Sequence, residues 1–204
     1  MFSTRTRATV VAVTAASALL LAAGCADDTE TATRATTSSA TSTETTAATA
    51  AEFNDADVTF LQMMYPHHAQ AVEMAQLVPS RTQNQELIAL AAQVEQAQAP
   101  EMAQITALLA GFGKPAPSTG DGHDGHTMPG MMSGEQMAAL ESAQGAEFDR
   151  QWLEMMIEHH EGAVEMARTE LADGVNPESR QLATTIVADQ EKEIGTMRGM
   201  LGQG

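Results

Sequence analysis

Met63-Met64-Tyr65-Pro66-His67-His68 and Met155-Met156-Ile157-Glu158-His159-His160 are two copies of one motif, and each closes on Val-Glu-Met-Ala, at residues 72–75 and 164–167. Met63 and Met155 stand 92 residues apart, and the same offset aligns Leu90 with Leu182, Gln98 with Gln190, Glu101 with Glu193 and Leu109 with Leu201 without a gap. The chain therefore contains an internal duplication. Four of its six histidines lie in the two copies.

Around the first copy, apolar residues recur at helical spacing: Phe60, Met63, Met64, His67, Ala71, Met74 and Val78 share one face, with His68 on its shoulder. The pattern predicts a helix over about 56–78, capped by Asn54 or Asp55 and stopped at Val78-Pro79-Ser80, with Pro66 inside it. A second helix is expected from about 83 to 110, with Pro100 inside it and Gln98 and Glu101 interrupting its apolar stripe. Residues 111–133 are rich in Gly, Pro, Ser and Asp and read as a linker. The third helix begins at Ser133 or at Asp149, depending on whether Gly145 breaks it, and its main body, about 146–172, repeats the first. The fourth, about 178–201, repeats the second. No segment alternates with period two. Hairpins of about 56–110 and 134–201, each too small to bury its own apolar face, predict an all-α, four-helix bundle with approximate twofold symmetry.

Arg5 and Arg7 precede an Ala-rich apolar run over residues 8–23, which ends at Gly24-Cys25, the only cysteine. This arrangement reads as a lipoprotein signal peptide over residues 1–24, with Cys25 lipidated, and places the chain on the extracytoplasmic side of a bacterial cell membrane. Residues 25–51, mostly Thr, Ala and Ser, have nothing to bury and are expected to form a disordered tether, leaving 52–204 as the folded domain. A formal charge of −17 repels phosphate backbones and argues against a nucleic-acid partner. No Ser-His-Asp order, phosphate-binding glycine loop or zinc-protease motif is present.

The chemistry lies in the repeated motif. On a helix, Met63, Met64 and Met74 stand four, three and seven residues from His67, on its side; Met155, Met156 and Met166 stand likewise to His159. Thioether and imidazole together suit Cu(I), whereas hard ions want carboxylates. A methionine stripe can be plain core packing, but four inward imidazoles in duplicate need partners that apolar packing does not supply. His67 and His159 are the leading candidate ligands, with His68 and His160 subsidiary. Gln98, Gln190, Glu101 and Glu193 either orient the imidazoles from behind or sit at a solvated edge. Bundle sites for two iron or manganese ions use Glu three residues before His on two helices. Met64 and Met156 occupy that place here, so a dinuclear oxidoreductase site is short of carboxylates, and Glu101 and Glu193 keep it open as an alternative. In the linker, His123, His126, Met128, Met131 and Met132 form a candidate copper-collecting arm.

The Met-Met-x-x-His-His-x-x-Ala-x-x-Met-Ala pattern at 63–75 and 155–167 resembles a bacterial family known as domain of unknown function 305. The resemblance implies a ferritin-like bundle and copper binding through Met63, Met64, His67, His68, Met74, Met155, Met156, His159, His160 and Met166, in periplasmic or lipid-anchored proteins linked to copper tolerance. Gly162 follows the second His-His-x as is usual there, whereas the first copy has Gln70. The expected role is copper binding, buffering or transfer rather than catalysis, or else a purely structural bundle. The partners this reading allows are a metal ion, the membrane, a copper donor or acceptor protein and a second copy of the chain.

Overall fold

The computed structural model describes residues 52–115 and 128–202, and these form five helices and no strand: α1 (Asp55–Arg81), α2 (Gln85–Gly111), α3 (Gly134–Ser142), α4 (Gly145–Asp173) and α5 (Pro177–Met200). The signal peptide, the tether, Cys25, His123 and His126 lie outside the described residues. The helix starts are chemically explicit. Asn54 and Asp57 form a reciprocal capping box on α1, and Ser133 and Gln136 do the same on α3. Asn84 and Asn176, which occupy equivalent positions in the two copies, each accept two backbone N–H groups at the starts of α2 and α5.

The two hairpins, α1–α2 and α4–α5, join mainly through α1 against α4, while α2 and α5 meet more loosely. This is the expected bundle with one helix added. The third helix is broken: α3 ends at Ser142, Ala143 and Gln144 are extended, and α4 begins at Gly145 with φ +59. That positive φ is a conformation glycine adopts without strain. Pro79 does not stop α1 as expected. Burial of Val78 holds the last turn, and Thr82 N–H still reaches the Val78 carbonyl at 3.3 Å.

Two apolar clusters fill the bundle. One joins the first half of α1 (Val58–Met64), the end of α2 (Ile105, Leu109), the second half of α4 (Ala163–Ala167) and the start of α5 (Leu182, Ile186). The other joins the second half of α1 (Ala71–Val78), the start of α2 (Leu87–Val94), the start of α4 (Phe148–Met156) and the end of α5. Each fully buried large side chain contributes about 1.5–3 kcal/mol. The histidine pairs fall between the clusters on both α1 and α4, so a polar layer crosses the middle of the bundle. Among the described residues, no helix is long and apolar enough to cross a membrane.

Candidate metal centre

All four imidazoles of that layer are fully buried. His67 and His159 meet at the approximate twofold axis, with ring centroids 3.7 Å apart and planes inclined by 43°. The second histidine of each pair is as buried as the first, contrary to the expected shoulder position. His68 Nε2–H donates to Glu101 Oε2 at 2.7 Å and His160 Nε2–H donates to Glu193 Oε2 at 2.6 Å. The two glutamates thus face imidazoles, but those of His68 and His160. His67 Nε2–H donates to the Pro129 carbonyl at 3.0 Å.

Three imidazoles therefore have Nε2–H tied to an oxygen, which leaves Nδ1 as the nitrogen a ligand could reach. Nδ1 of His67, His68 and His160 is buried without a protein hydrogen-bond partner, as are both ring nitrogens of His159. An unmet buried polar group costs about 1–3 kcal/mol. A set of five is a heavy load on a domain stable by about 5–15 kcal/mol. A carboxylate or backbone carbonyl behind the imidazole, holding the opposite N–H, is the usual support of a metal-ligating histidine.

The protonation states favour ligation too. Burial holds His67 down at about 3, helped by the neighbouring imidazoles of His68 and His160 and opposed by the Pro129 hydrogen bond. Burial, then His67 and the other imidazoles, holds His159 well below its ordinary 6.5. Both rings are neutral at physiological pH, the form that binds metal.

The methionines are distributed across the repeats rather than within them. Met63 and Met64 share a cluster with Met166, and Met155 and Met156 share the other with Met74. Antiparallel pairing of α1 with α4 explains this, because it sets the start of one helix beside the end of the other. Met64 and Met156, three residues before His67 and His159, are fully buried next to the polar layer. Among the described residues, no three His, Cys, Asp or Glu side chains are grouped to hold a metal ion by themselves. A donor set completed at this layer would have to draw on thioether sulfur, a ligand that suits a soft ion. Gln98 and Gln190 are buried at 2% and 3% exposure, but Gln98 has no protein partner and neither amide bonds a ring nitrogen.

Residues 129–132 form a strap across the α1–α4 seam that spacing alone does not disclose. Gln70 Nε2 donates to the Met132 carbonyl at 2.9 Å, and Met132 N–H donates to Gln70 Oε1 at 2.7 Å. On the facing helix, a Cβ at Gly162 would overlap the Pro129 carbonyl. Gly130, at φ +74, passes so close that its own Cβ would lie 2.6 Å from the Glu158 carbonyl. The difference between Gln70 and Gly162 at equivalent positions was thus the one sequence signal of this strap. Of the linker's candidate ligands, Met132, the last residue of the strap, is buried at 5% exposure, while Met128 and Met131 are half-buried.

Residues 57–201 match the family model for domain of unknown function DUF305. Among solved structures, a DUF305 fragment from Deinococcus radiodurans is 35% identical, with a TM-score of 0.67, covering 74% of this chain and 98% of that one. A DUF305 protein from Streptomyces coelicolor is 33% identical, with a TM-score of 0.66, covering 72% and 93%. CopM in its Cu(II)-bound form is 32% identical, with a TM-score of 0.62, covering 71% and 94%, and CopM is also known in Cu(I)-bound and Ag-bound forms. No curated protein matches the chain. A family model that spans the whole bundle, and relatives alike over nearly all of their own length, make this chain a member of the DUF305 family.

Proposed function

We propose that this protein binds copper, as Cu(I), in the polar layer of its bundle, and that it buffers or hands on the ion rather than performing catalysis. The observation that carries the reading is the set of buried imidazole nitrogens without partners, three of them on rings anchored from behind by Glu101, Glu193 and the Pro129 carbonyl. His67, His159, His68 and His160 would supply nitrogen, and Met64 and Met156 sulfur. Met63, Met74, Met155 and Met166 extend the thioether supply into the two clusters, and His123, His126, Met128, Met131 and Met132 would serve as collecting ligands. Support also comes from CopM, a relative with copper-bound and silver-bound structures. Thioether and imidazole donors accept a cuprous ion without a change of charge on the protein.

The protein is further proposed to be lipid-anchored through Cys25 outside the cytoplasm, where methionine is not lost to disulfide formation; the Streptomyces coelicolor relative is described as secreted. A copper donor or acceptor protein would be its partner. The dinuclear iron or manganese alternative draws less support, because Glu101 and Glu193 are engaged by His68 and His160.

Anaerobic Cu(I) titration against a chromophoric chelator tests the reading. The wild-type chain is expected to take up Cu(I) stoichiometrically, and the His67→Phe/His159→Phe variant to lose that uptake at the centre. Equal uptake by the two proteins would contradict it, as would tight iron or manganese with no Cu(I).

A further inference from the structure

Beside the strap, the seam between α1 and α4 opens into a cavity of about 420 Å³. Phe60, Met63, Pro129 and Met166 line it, and its rim carries the exposed carboxylates of Asp55 and Glu165. Burial and Asp57 keep the neighbouring Glu170 carboxyl protonated at neutral pH, and it packs against Gly174, so the charges at the rim are those of Asp55 and Glu165.

The duplication supplies an internal control, because the chain covers the other end of the seam itself. The equivalent positions there are Trp152 for Phe60, Met155 for Met63 and Met74 for Met166. The cover is α3, a helix of 9 residues whose buried side chains, Met137 and Leu140, stand three apart on one face and join Trp152 and Met74 in one apolar cluster. The two rims also differ in charge. Glu147, equivalent to Asp55, pairs with Arg150 at 2.7 Å, but the residue equivalent to Arg150 is Val58. Neither Asp55 nor Glu165 has an ion-pair partner among the described residues. The chain has no second α3 to offer the open end: residues 26–51 and 116–127 contain no Val, Ile, Leu, Met, Phe, Tyr or Trp. A second copy would bring a surface of the same sign, at a formal charge of −17, and an anionic lipid would meet the two carboxylates.

We propose that the open end of the seam docks an amphipathic helix of another protein, in the mode in which α3 occupies the closed end. Two large apolar side chains, three or four residues apart, enter the cavity, and lysine or arginine beside them meets Asp55 and Glu165. Pro129 lines the cavity while its carbonyl accepts the His67 Nε2–H, so a docked helix touches the strap that ties down the imidazole layer. Docking needs no metal, and it is therefore tested apart from copper binding.

The probe is a synthetic peptide of residues 131–144 carrying Glu135→Lys and Glu141→Lys, a basic copy of α3, titrated into the metal-free full chain and followed by methionine-methyl NMR. It is expected to move the Met63 and Met166 signals and to leave those of Met74 and Met155, at the closed end, in place. The unmodified acidic peptide should bind about fivefold more weakly, and the lysine peptide should lose about the same factor on an Asp55→Asn/Glu165→Gln variant, whose two exposed changes leave the fold intact. Unmoved Met63 and Met166 signals at millimolar peptide, equal shifts at the two ends, or equal binding of the two peptides would overturn the proposal. Sedimentation of the chain alone decides between occupants. A dimer whose formation moves the same two methyl signals would give this face to a second copy, and NOEs from them to residues 26–51 or 116–127 would give it to the chain itself; either result overturns the proposal.

Discussion

The two ends of the α1–α4 seam are built from equivalent residues and have opposite fates. At one end Trp152, Met74 and Val78 are covered by Met132, Met137 and Leu140; at the other Phe60, Met166 and Glu170 border a cavity. The cause is a single insertion, the strap and α3 between the hairpins, held by Gln70 on one helix and admitted by Gly162 on the other. Duplication made a symmetric centre, and the linker made it one-sided.

The largest effects should come from breaking the closed end. Trp152 is fully buried and its Nε1–H donates to the Met74 carbonyl at 2.9 Å, tying α4 to α1. Trp152→Ala is expected to cost about 3–5 kcal/mol in urea unfolding, and the equivalent Phe60→Ala at the open end less, about 2–3 kcal/mol, because Phe60 borders a cavity and has fewer atoms packed on that side. Equal losses would mean that the two ends are alike after all.

The strap comes next. Gly162→Ala should cost about 2–3 kcal/mol, since the new Cβ overlaps the Pro129 carbonyl and either the strap or α4 must move. Gln70→Ala, at the equivalent position of the other copy, removes two hydrogen bonds to Met132 and should cost about 1 kcal/mol. Reversal of that order would show that the strap is held by the amide rather than by close packing.

The pH dependence of the metal-free chain separates the open end from the centre. Burial first, then the hydrogen bond and charge of Asp57, pushes Glu170 up to about 8 from its ordinary 4.5. Between those values the folded state holds a proton that the unfolded state has released, so stability should fall as pH rises through that window, by roughly 1–3 kcal/mol. Glu170→Gln should flatten the slope. His67 works in the opposite direction: held at about 3 against its ordinary 6.5, it leaves the unfolded state binding more protons, so stability falls as pH drops from 6.5 towards 3. Urea midpoints measured from pH 4 to 9 should therefore show two limbs. Glu170→Gln should remove part of the alkaline limb and leave the acid limb in place.

Much of this was legible in the sequence, for physical reasons. The constant offset between the two motifs disclosed two hairpins, and helical spacing turned His67 and His159 inward. The burial of His68 and His160 was not legible, because a shoulder position is resolved only by the neighbouring helix that supplies Glu101 or Glu193. Nor was the sorting of methionines, since spacing along one helix is silent on the antiparallel partner that sets Met166 with Met63. The broken third helix turned on Gly145, whose positive φ no periodicity reports. Glu170 escaped notice although its equivalent is Val78; a charge that replaces an apolar residue in one copy of a repeat was the available signal.

Ring nitrogen chemistry tests the central claim most directly. In ¹⁵N NMR of histidine-labelled protein, Cu(I) or Ag(I) should move the Nδ1 signals of the buried imidazoles, while the Nε2–H groups of His67, His68 and His160 remain protonated on Pro129, Glu101 and Glu193. Unchanged Nδ1 signals under stoichiometric metal, or loss of the Nε2 protons instead, would contradict it.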